Sequence, residues 1–170
     1  YPLDQILLMY FLAQRQGMLI HAAGLDINGK GYIFPGKSGA GKSTLSRQFF
    51  GQDKMEMLSD DRVVIRKVDN TFKVFGTPWP GEAGIAENRN ICLCGIFCIR
   101  HGTENIIKEL KPVEAFERLL PVTSIPWYDR AIMTKILIFC EDVISNIPAY
   151  ELYFKPNFEV VDVLEKFATA

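Results

Sequence analysis

The order of apolar and polar residues along the chain predicts a domain in which helices pack on a sheet. Segments with apolar residues at helical spacing predict helices at residues 4–16, 42–50, within 109–120, at 129–145 and at 159–167. Apolar runs and alternating segments predict strands at residues 18–27, 31–35, 55–58, 63–68, 71–75, 91–99 and 150–154. The chain has 170 residues, so we expect one α/β domain over residues 1–170.

Two tight-turn signals indicate that the sheet is not built from parallel strands alone. Asn28-Gly29 joins the first two predicted strands, and a second hairpin is predicted to turn at Asp69-Asn70. A glycine-rich segment, residues 36–44, follows the second arm of the first hairpin. In the commoner nucleotide-binding folds such a segment follows a strand of a parallel β-α-β unit. We therefore predict a mixed or antiparallel sheet beside this segment.

Composition and charge exclude some classes of function. Nearly half of the residues are apolar (48%) and the net charge is −1. This chain offers no broad basic surface, so we expect no nucleic-acid partner. The early apolar run at residues 6–13 is too short to span a bilayer, and we expect no membrane partner. The four cysteines are interpreted as small core residues, which suits a reducing, cytoplasmic setting.

The glycine-rich segment carries the strongest chemical signal. Its nine residues match the pattern G-x-x-x-x-G-K-[ST] between a predicted strand and a predicted helix. In that pattern, backbone N–H groups and a lysine hold phosphates, and a hydroxyl contacts Mg²⁺. We therefore predict a site for a purine nucleoside triphosphate, expected to be ATP with Mg²⁺. The predicted ligand residues are Gly36, Lys37, Ser38, Gly39, Ala40, Gly41, Lys42, Ser43 and Thr44.

Two adjacent carboxylates and a histidine complete the candidate site. Asp60-Asp61 follows a predicted strand, and its side chains point in different directions. One can hold Mg²⁺ and the other can take a proton from an incoming hydroxyl; the residue order does not say which. A polar turn between strands is the alternative. His21 is predicted beside residues 35 and 36 and within reach of one of these carboxylates, where it can tune basicity; the alternative is a core histidine.

This combination resembles the catalytic domain of the bacterial HPr kinase/phosphorylase family, whose nucleotide fold is shared with phosphoenolpyruvate carboxykinase. The similarity runs from about residue 19 to residue 65 and includes His21, the glycine-rich segment and the pair Asp60-Asp61. It implies a kinase in which the pair supplies a proton acceptor and a metal contact, with Asp60 and Ser43 as metal contacts. His21 then supports the catalytic carboxylate. Since that family forms hexamers, the resemblance also implies possible self-association.

The downstream part departs from the bifunctional enzymes. Their Glu-x-Arg-Gly-x-Gly signature is met only by Glu87-Asn88-Arg89-Asn90, which lacks the following glycine. The loop at residues 76–90 resembles instead a shorter group of HPr-kinase-like proteins, some of them linked to peptide tailoring. We expect this loop to recognise the acceptor, with Trp79 as a stiff, partly apolar platform, and Arg89 to stabilise the transferred phosphoryl group. Arg62 and Lys37 are weaker candidates for that task. The alternatives are a buried anchor for Trp79 and a solvated loop charge for Arg89.

The predicted function is transfer of the γ-phosphoryl group of ATP to a serine hydroxyl of a protein or peptide. One alternative is a kinase for a small alcohol such as free serine. The other is a regulatory switch that binds ATP and hydrolyses it slowly. Replacing Asp61 by Asn is expected to abolish transfer in a kinase, and to leave partner binding intact in a switch.

Overall fold

The computed structural model describes residues 2–37 and 39–169. In these residues the helices are α1 (Pro2–Ala13), α2 (Lys42–Ser46), α3 (Pro112–Leu119), α4 (Arg130–Asn146) and α5 (Glu159–Thr169). The strands are β1 (Gly17–Ile27), β2 (Lys30–Pro35), β3 (Met55–Ser59), β4 (Arg62–Val68), β5 (Thr71–Gly76), β6 (Asn90–His101), β7 (Ile106–Glu109) and β8 (Ala149–Phe154). Short 3₁₀ turns follow α2 and α3, at Arg47–Phe49 and Leu120–Val122.

Strand β1 belongs to two sheets at once. Its first half pairs antiparallel with β4, which continues through β5 to the start of β6. Its second half lies between β2 and β3, again antiparallel. Strand β6 pairs in parallel with both β2 and β8, and β7 adds an antiparallel edge to β8. The described sheet is therefore mixed and mostly antiparallel, as the hairpin signals predict.

Helices cover this sheet on two sides. The first apolar core receives side chains from α1, α3 and α4, which pack against β1, β4, β5 and β6. The second receives side chains from α2 and α5, which pack against β1, β2, β6 and β8. Both cores contain alternate residues of β1 and β6, because successive side chains of a strand point to opposite faces. Strands β1 and β6 therefore contribute to both apolar cores.

Local signals in the sequence are confirmed where they act over a few residues. Asn28 and Gly29 have φ of 53° and 82°, and Asp69 and Asn70 have φ of 50° and 59°, as tight hairpin turns require. Asp129, predicted to cap α4, accepts hydrogen bonds from the N–H groups of residues 131 and 132.

Other predicted elements differ in length or were missed. The helix predicted over residues 42–50 is α-helical only to Ser46 and continues as a 3₁₀ turn. Strand β7 was not predicted; its short sequence carries little signal, and β8 supplies its hydrogen bonds. Among residues 2–37 and 39–169, none of the helices has the length and apolar character needed to cross a membrane.

The cysteines divide into two groups. Cys98 and Cys140 are buried, and burial raises the pKa of their thiols to about 11 and about 12, as expected for small core residues. Cys92 is exposed and Cys94 is half-buried, so the core interpretation is wrong for Cys92. The reason is that the first residues of β6 form the end of the sheet, where one face meets solvent.

Candidate functional site

The candidate site lies at the middle of β1, where this strand passes from one sheet to the other. His21 is the last residue of β1 that pairs with β4, and Ala22 is the first that pairs with β2. The carbonyl of His21 accepts a hydrogen bond from the Gly36 N–H at 3.2 Å. Pairing of β1 thus places the start of the glycine-rich segment beside His21, as predicted from the hairpin.

The same crossing brings the acidic pair to the histidine. Strands β3 and β4 both pair with β1, and the link between them is Asp60-Asp61. The Ala22 N–H donates to the carbonyl of Asp61 at 2.9 Å, which fixes this link against β1. Sequence reasoning found the three parts of the site. The structure shows that one strand, β1, holds all of them.

His21 and Asp61 form a pair of side chains. Nε2 of His21 lies 2.9 Å from Oδ1 of Asp61, so the predicted proximity is confirmed. Burial, followed by the charge of Lys42, lowers the pKa of His21 below its ordinary value, although Asp61 opposes this. At neutral pH the imidazole is therefore neutral and donates its Nε2 proton to the carboxylate. Arg62, on the other side, places Nε 3.4 Å from Oδ2 of Asp61.

The glycine-rich segment is folded tightly around Lys42. Gly39 and Gly41 have φ of 80° and 95°, a backbone conformation that favours glycine. A Cβ atom on Gly36 would lie 2.8 Å from the Cβ of Ala40, so the two arms of the segment approach closely. No side chain caps the N-terminus of α2, which leaves its first N–H groups without that partner among the described residues.

Lys42 is held inside the segment. Its side chain is 6% exposed, and Nζ donates to the carbonyl oxygens of Gly36 at 2.7 Å and Lys37 at 3.2 Å. Burial lowers the pKa of Lys42, although Asp61 opposes the shift. An ammonium in this position is desolvated, and its described hydrogen-bond partners are backbone carbonyls. It can exchange those partners for an anion that enters the cleft.

Asp60 differs from Asp61 in its hydrogen-bond partners. It is 2% exposed, and its Oδ1 accepts hydrogen bonds from the N–H groups of Gly81 at 2.8 Å and Ile85 at 3.2 Å. Its Oδ2 accepts from the Ala83 N–H at 2.6 Å. Asp60 therefore anchors a turn of the distant loop at residues 76–90, and Asp61 is the carboxylate that lies against His21.

The loop at residues 76–90 is fastened at further points. Trp79 is 9% exposed and donates from Nε1 to Oδ2 of Asp4 in α1 at 3.1 Å. Its indole is thus a buried anchor, and no aromatic platform for an acceptor is formed there. The Gly84 N–H donates to the Gly81 carbonyl at 3.2 Å and closes the turn that Asp60 holds.

Arg89 is not brought together with the other predicted catalytic residues. Nη2 donates to Oδ2 of Asp26 at 2.7 Å, and Nη1 pairs with Glu56. These carboxylates lie on β1 and β3, toward the end of the pair that is remote from His21. The structure therefore gives no support to the predicted contact of Arg89 with a phosphoryl group. Of the weaker candidates, Arg62 contacts Asp61, and Lys37 is exposed.

A cleft of about 360 Å³ unites the remaining residues. It is lined by His21, Gly39, Gly41, Lys42, Ser43, Thr44, Asp60, Asp61, Gly81, Glu82 and His101. Sequence reasoning assigned the loop at residues 76–90 to the acceptor without singling out Gly81 or Glu82, and it missed His101. His101 ends β6, and its Cε1 would lie 3.8 Å from a Cβ on Gly41. A polar residue at the end of a buried strand was the available signal for it. Gly81 and Glu82 had none, because only the contact with Asp60 brings them here.

Some predicted ligand residues are placed differently. Gly36, Lys37 and Ala40 belong to the segment but do not line the cleft, and Ser38 lies outside the described residues. A neighbouring hollow of about 600 Å³ includes Ala40 and shares His101. In the part of the chain that the structure describes, no three His, Cys, Asp or Glu side chains are grouped to hold a metal ion. Ser43 lines the cleft, so a metal there would need oxygen ligands from a bound molecule.

Chemically, the cleft combines an ammonium group, two hydroxyl groups and a carboxylate that is paired with a neutral imidazole. The ammonium group and the two hydroxyl groups can hold an anion, and the carboxylate with its imidazole partner can accept a proton.

Comparison with known proteins places this geometry in context. The family model described as "SynChlorMet cassette protein ScmC" matches residues 3–158. No curated protein matches the sequence. Among solved structures, the fold is similar to that of the Hpr(Ser) kinase/phosphatase from Coxiella burnetii, with a TM-score of 0.52 and 10% sequence identity. The match covers 89% of this chain and 88% of that chain. At this identity the similarity concerns the fold.

Proposed function

The chain belongs to the ScmC family of SynChlorMet cassette proteins, and we propose that it is an ATP-dependent kinase that phosphorylates a serine hydroxyl of a protein or peptide. One observation carries the proposal: the neutral His21 and the carboxylate of Asp61 face Lys42, Ser43 and Thr44 across one cleft. The solved structure with a similar fold is named as a kinase/phosphatase that acts on HPr, and this agrees with phosphoryl transfer.

The residues present fit a nucleoside triphosphate with Mg²⁺. Lys42 is desolvated, and among the described residues its Nζ is hydrogen-bonded to loop carbonyls, so this group can be offered to phosphate oxygens. The close approach of Gly36 and Ala40 forms a narrow backbone cradle, which side chains larger than these would fill. The Ser43 hydroxyl would contact Mg²⁺, and the Thr44 hydroxyl would lie near the phosphates. The bound magnesium ion would neutralise charge that develops during transfer.

Asp61 is the proposed proton acceptor. It would take the proton of the serine hydroxyl while that oxygen bonds to the γ-phosphorus and the bond between the γ-phosphorus and ADP breaks. His21 donates its Nε2 proton to Oδ1 of Asp61 and thereby orients the carboxylate. Because the lowered pKa keeps His21 neutral, the imidazole does not add a positive charge that would weaken Asp61 as a base.

Asp60 was expected to contact Mg²⁺, and its carboxylate already has hydrogen-bond partners. Three backbone N–H groups already occupy the two oxygens of its carboxylate. These bonds leave one lone-pair position on Oδ2, so a magnesium ion bound directly to Asp60 would share that oxygen with the Ala83 N–H group. We therefore propose that Ser43 provides the protein's direct contact with the ion, and that Asp60 contributes through its charge and through the turn it holds.

The proposal is tested by comparing the unchanged protein with the Asp61→Asn variant. ATP binding should remain within about threefold, and transfer of the γ-phosphoryl group should fall by about 10²- to 10⁴-fold, the usual effect of losing a general base. The assay uses γ-labelled ATP with serine peptides, and mass mapping of the labelled residue. Transfer that survives in this variant would remove Asp61 from the chemistry.

The alternatives predict different results in the same assay. A kinase for a small alcohol would label free serine and leave peptides unlabelled. A switch would release phosphate from ATP and label neither acceptor.

The cellular location and the oligomeric state of the protein are two further proposals. We place the protein in the cytoplasm, because the four cysteines are free thiols, a state that reducing compartments maintain. We also propose self-association, because Leu3, Leu7 and Phe11 leave much of α1 apolar and exposed. Measurement of the molar mass in solution tests the second proposal.

A further inference from the structure

Glu82 is the charged residue of the cleft that the proposed chemistry does not use. It is exposed, it lines the cleft with Asp61 and Ser43, and it makes no ion pair or side-chain hydrogen bond with any residue that the structure describes. The other charged groups there have partners: Lys42 holds loop carbonyls, and Asp61 holds His21 and Arg62. The Glu82 carboxylate is therefore available to a group that enters from outside.

The position of Glu82 is fixed by the residues around it. Asp60 accepts the N–H groups of residues 81, 83 and 85, so both neighbours of Glu82 are tied to one buried carboxylate. Gly81 packs directly on the acidic pair, since a Cβ there would lie 2.8 Å from Oδ2 of Asp60 and 3.1 Å from Cβ of Asp61. Glu82 is thus held next to a residue that packs on the proposed base, and it lines the same cleft.

A fixed carboxylate in this place has an electrostatic consequence. Beside a triphosphate, an additional negative charge is unfavourable unless a cation faces it. An acceptor with a negative charge near its serine would be repelled both by the triphosphate and by the Glu82 carboxylate.

We propose that Glu82 determines acceptor specificity, and that the substrate is a serine peptide with a lysine or arginine directly beside the phosphorylated serine. This inference rests on the proposed kinase function and adds the chemistry of the acceptor to it.

A divalent cation is the other group that could face Glu82. The position of Glu82 favours the peptide, because this residue is exposed and lines the same cleft as the proposed base. The expected place of Mg²⁺ is at Ser43 and the phosphates, where bound oxygens complete its coordination. The two cases separate in an assay that varies peptide charge and Mg²⁺ concentration independently.

The experiment uses a serine peptide library in which the residues on each side of the serine are lysine, glutamate or glutamine. Initial rates of phosphoserine formation are measured for the unchanged protein and for Glu82→Gln and Glu82→Lys. Because Glu82 is exposed, both variants should fold, which thermal melting verifies. The matched control is Glu141→Lys, an equal change of charge on an exposed residue of α4 outside the cleft.

The unchanged protein should favour lysine over glutamate peptides by about tenfold in kcat/KM, as an exposed but partly enclosed charge pair allows. Glu82→Gln should remove this preference, and Glu82→Lys should reverse it. Glu141→Lys should keep the preference. A preference that is absent, or unchanged in Glu82→Lys, would overturn the inference and leave the kinase intact. So would an altered Mg²⁺ requirement without altered peptide preference. No transfer to any peptide would overturn the proposed function as well.

Discussion

Replacement of Asp60 by Ala tests whether this carboxylate is a structural anchor. The change removes the acceptor of three backbone hydrogen bonds, from residues 81, 83 and 85, at 2.8, 2.6 and 3.2 Å. It leaves those N–H groups facing a small apolar side chain. Replacement of Asp61 by Ala is the matched control, because it removes the adjacent carboxylate, whose side chain is 30% exposed and which contacts only His21 and Arg62 in its side-chain ion pairs.

The magnitude follows from the number and burial of the orphaned groups. An unsatisfied buried N–H costs about 1 to 3 kcal/mol, and the lower value applies because residues 81, 83 and 85 are only half-buried. Three such groups give a loss of about 3 kcal/mol in the free energy of unfolding. For a domain of this size the melting temperature should fall by about 6 to 12 °C. The control should lose about 1 kcal/mol or less, the value of a partly exposed ion pair.

Urea unfolding followed by fluorescence gives both free energies, and a thermal scan gives both melting temperatures. Asp60→Ala should be clearly less stable than Asp61→Ala, and Asp61→Ala should be the variant that loses phosphoryl transfer without losing its fold. Equal stability of the two variants, or a melting temperature of Asp60→Ala within about 1 °C of the unchanged protein, would refute the anchoring role.

Three further variants probe the rest of the site. Lys42→Ala should weaken ATP binding by about tenfold or more in calorimetry, since it removes the buried ammonium; unchanged binding would contradict the site. The pKa of His21 in the folded protein lies below its ordinary value of 6.5. Its contribution to stability is therefore present above pH 6.5 and is lost as the pH falls through the folded pKa. In His21→Gln, this part of the pH dependence of urea unfolding should vanish. Arg89→Ala should keep its transfer rate within about threefold, and a loss of about a hundredfold would restore the catalytic role predicted from sequence.

The sequence predicts those parts of the site that depend on short-range order. The hairpin turn at Asn28-Gly29 determines that β1 and β2 are antiparallel, and the register then brings His21 to the start of the glycine-rich segment. The adjacency of Asp60 and Asp61 places both at one crossing between strands. Geometry of this kind follows from hydrogen-bond pairing, which a few residues determine.

The remaining parts depend on contacts between distant segments, and no periodicity encodes them. The sequence offers a metal contact or a polar turn for Asp60, and its role as an anchor emerges only when the turn at residues 81–85 is seen on it. Arg89 belongs to the loop at residues 76–90, yet its guanidinium pairs with Asp26 and Glu56 and does not line the cleft. Trp79 was considered as a platform or an anchor, and its hydrogen bond to Asp4 of α1 decides for the anchor.

The central claim is that the cleft transfers a phosphoryl group to a serine and does not merely hydrolyse ATP. The most direct measurement is the molar ratio of phosphoserine to ADP formed by the unchanged protein with ATP, Mg²⁺ and the preferred serine peptide. We predict a ratio of about one, as expected of a kinase, with both products lost in Asp61→Asn. ADP formation without phosphoserine, unaffected by the peptide, would contradict it.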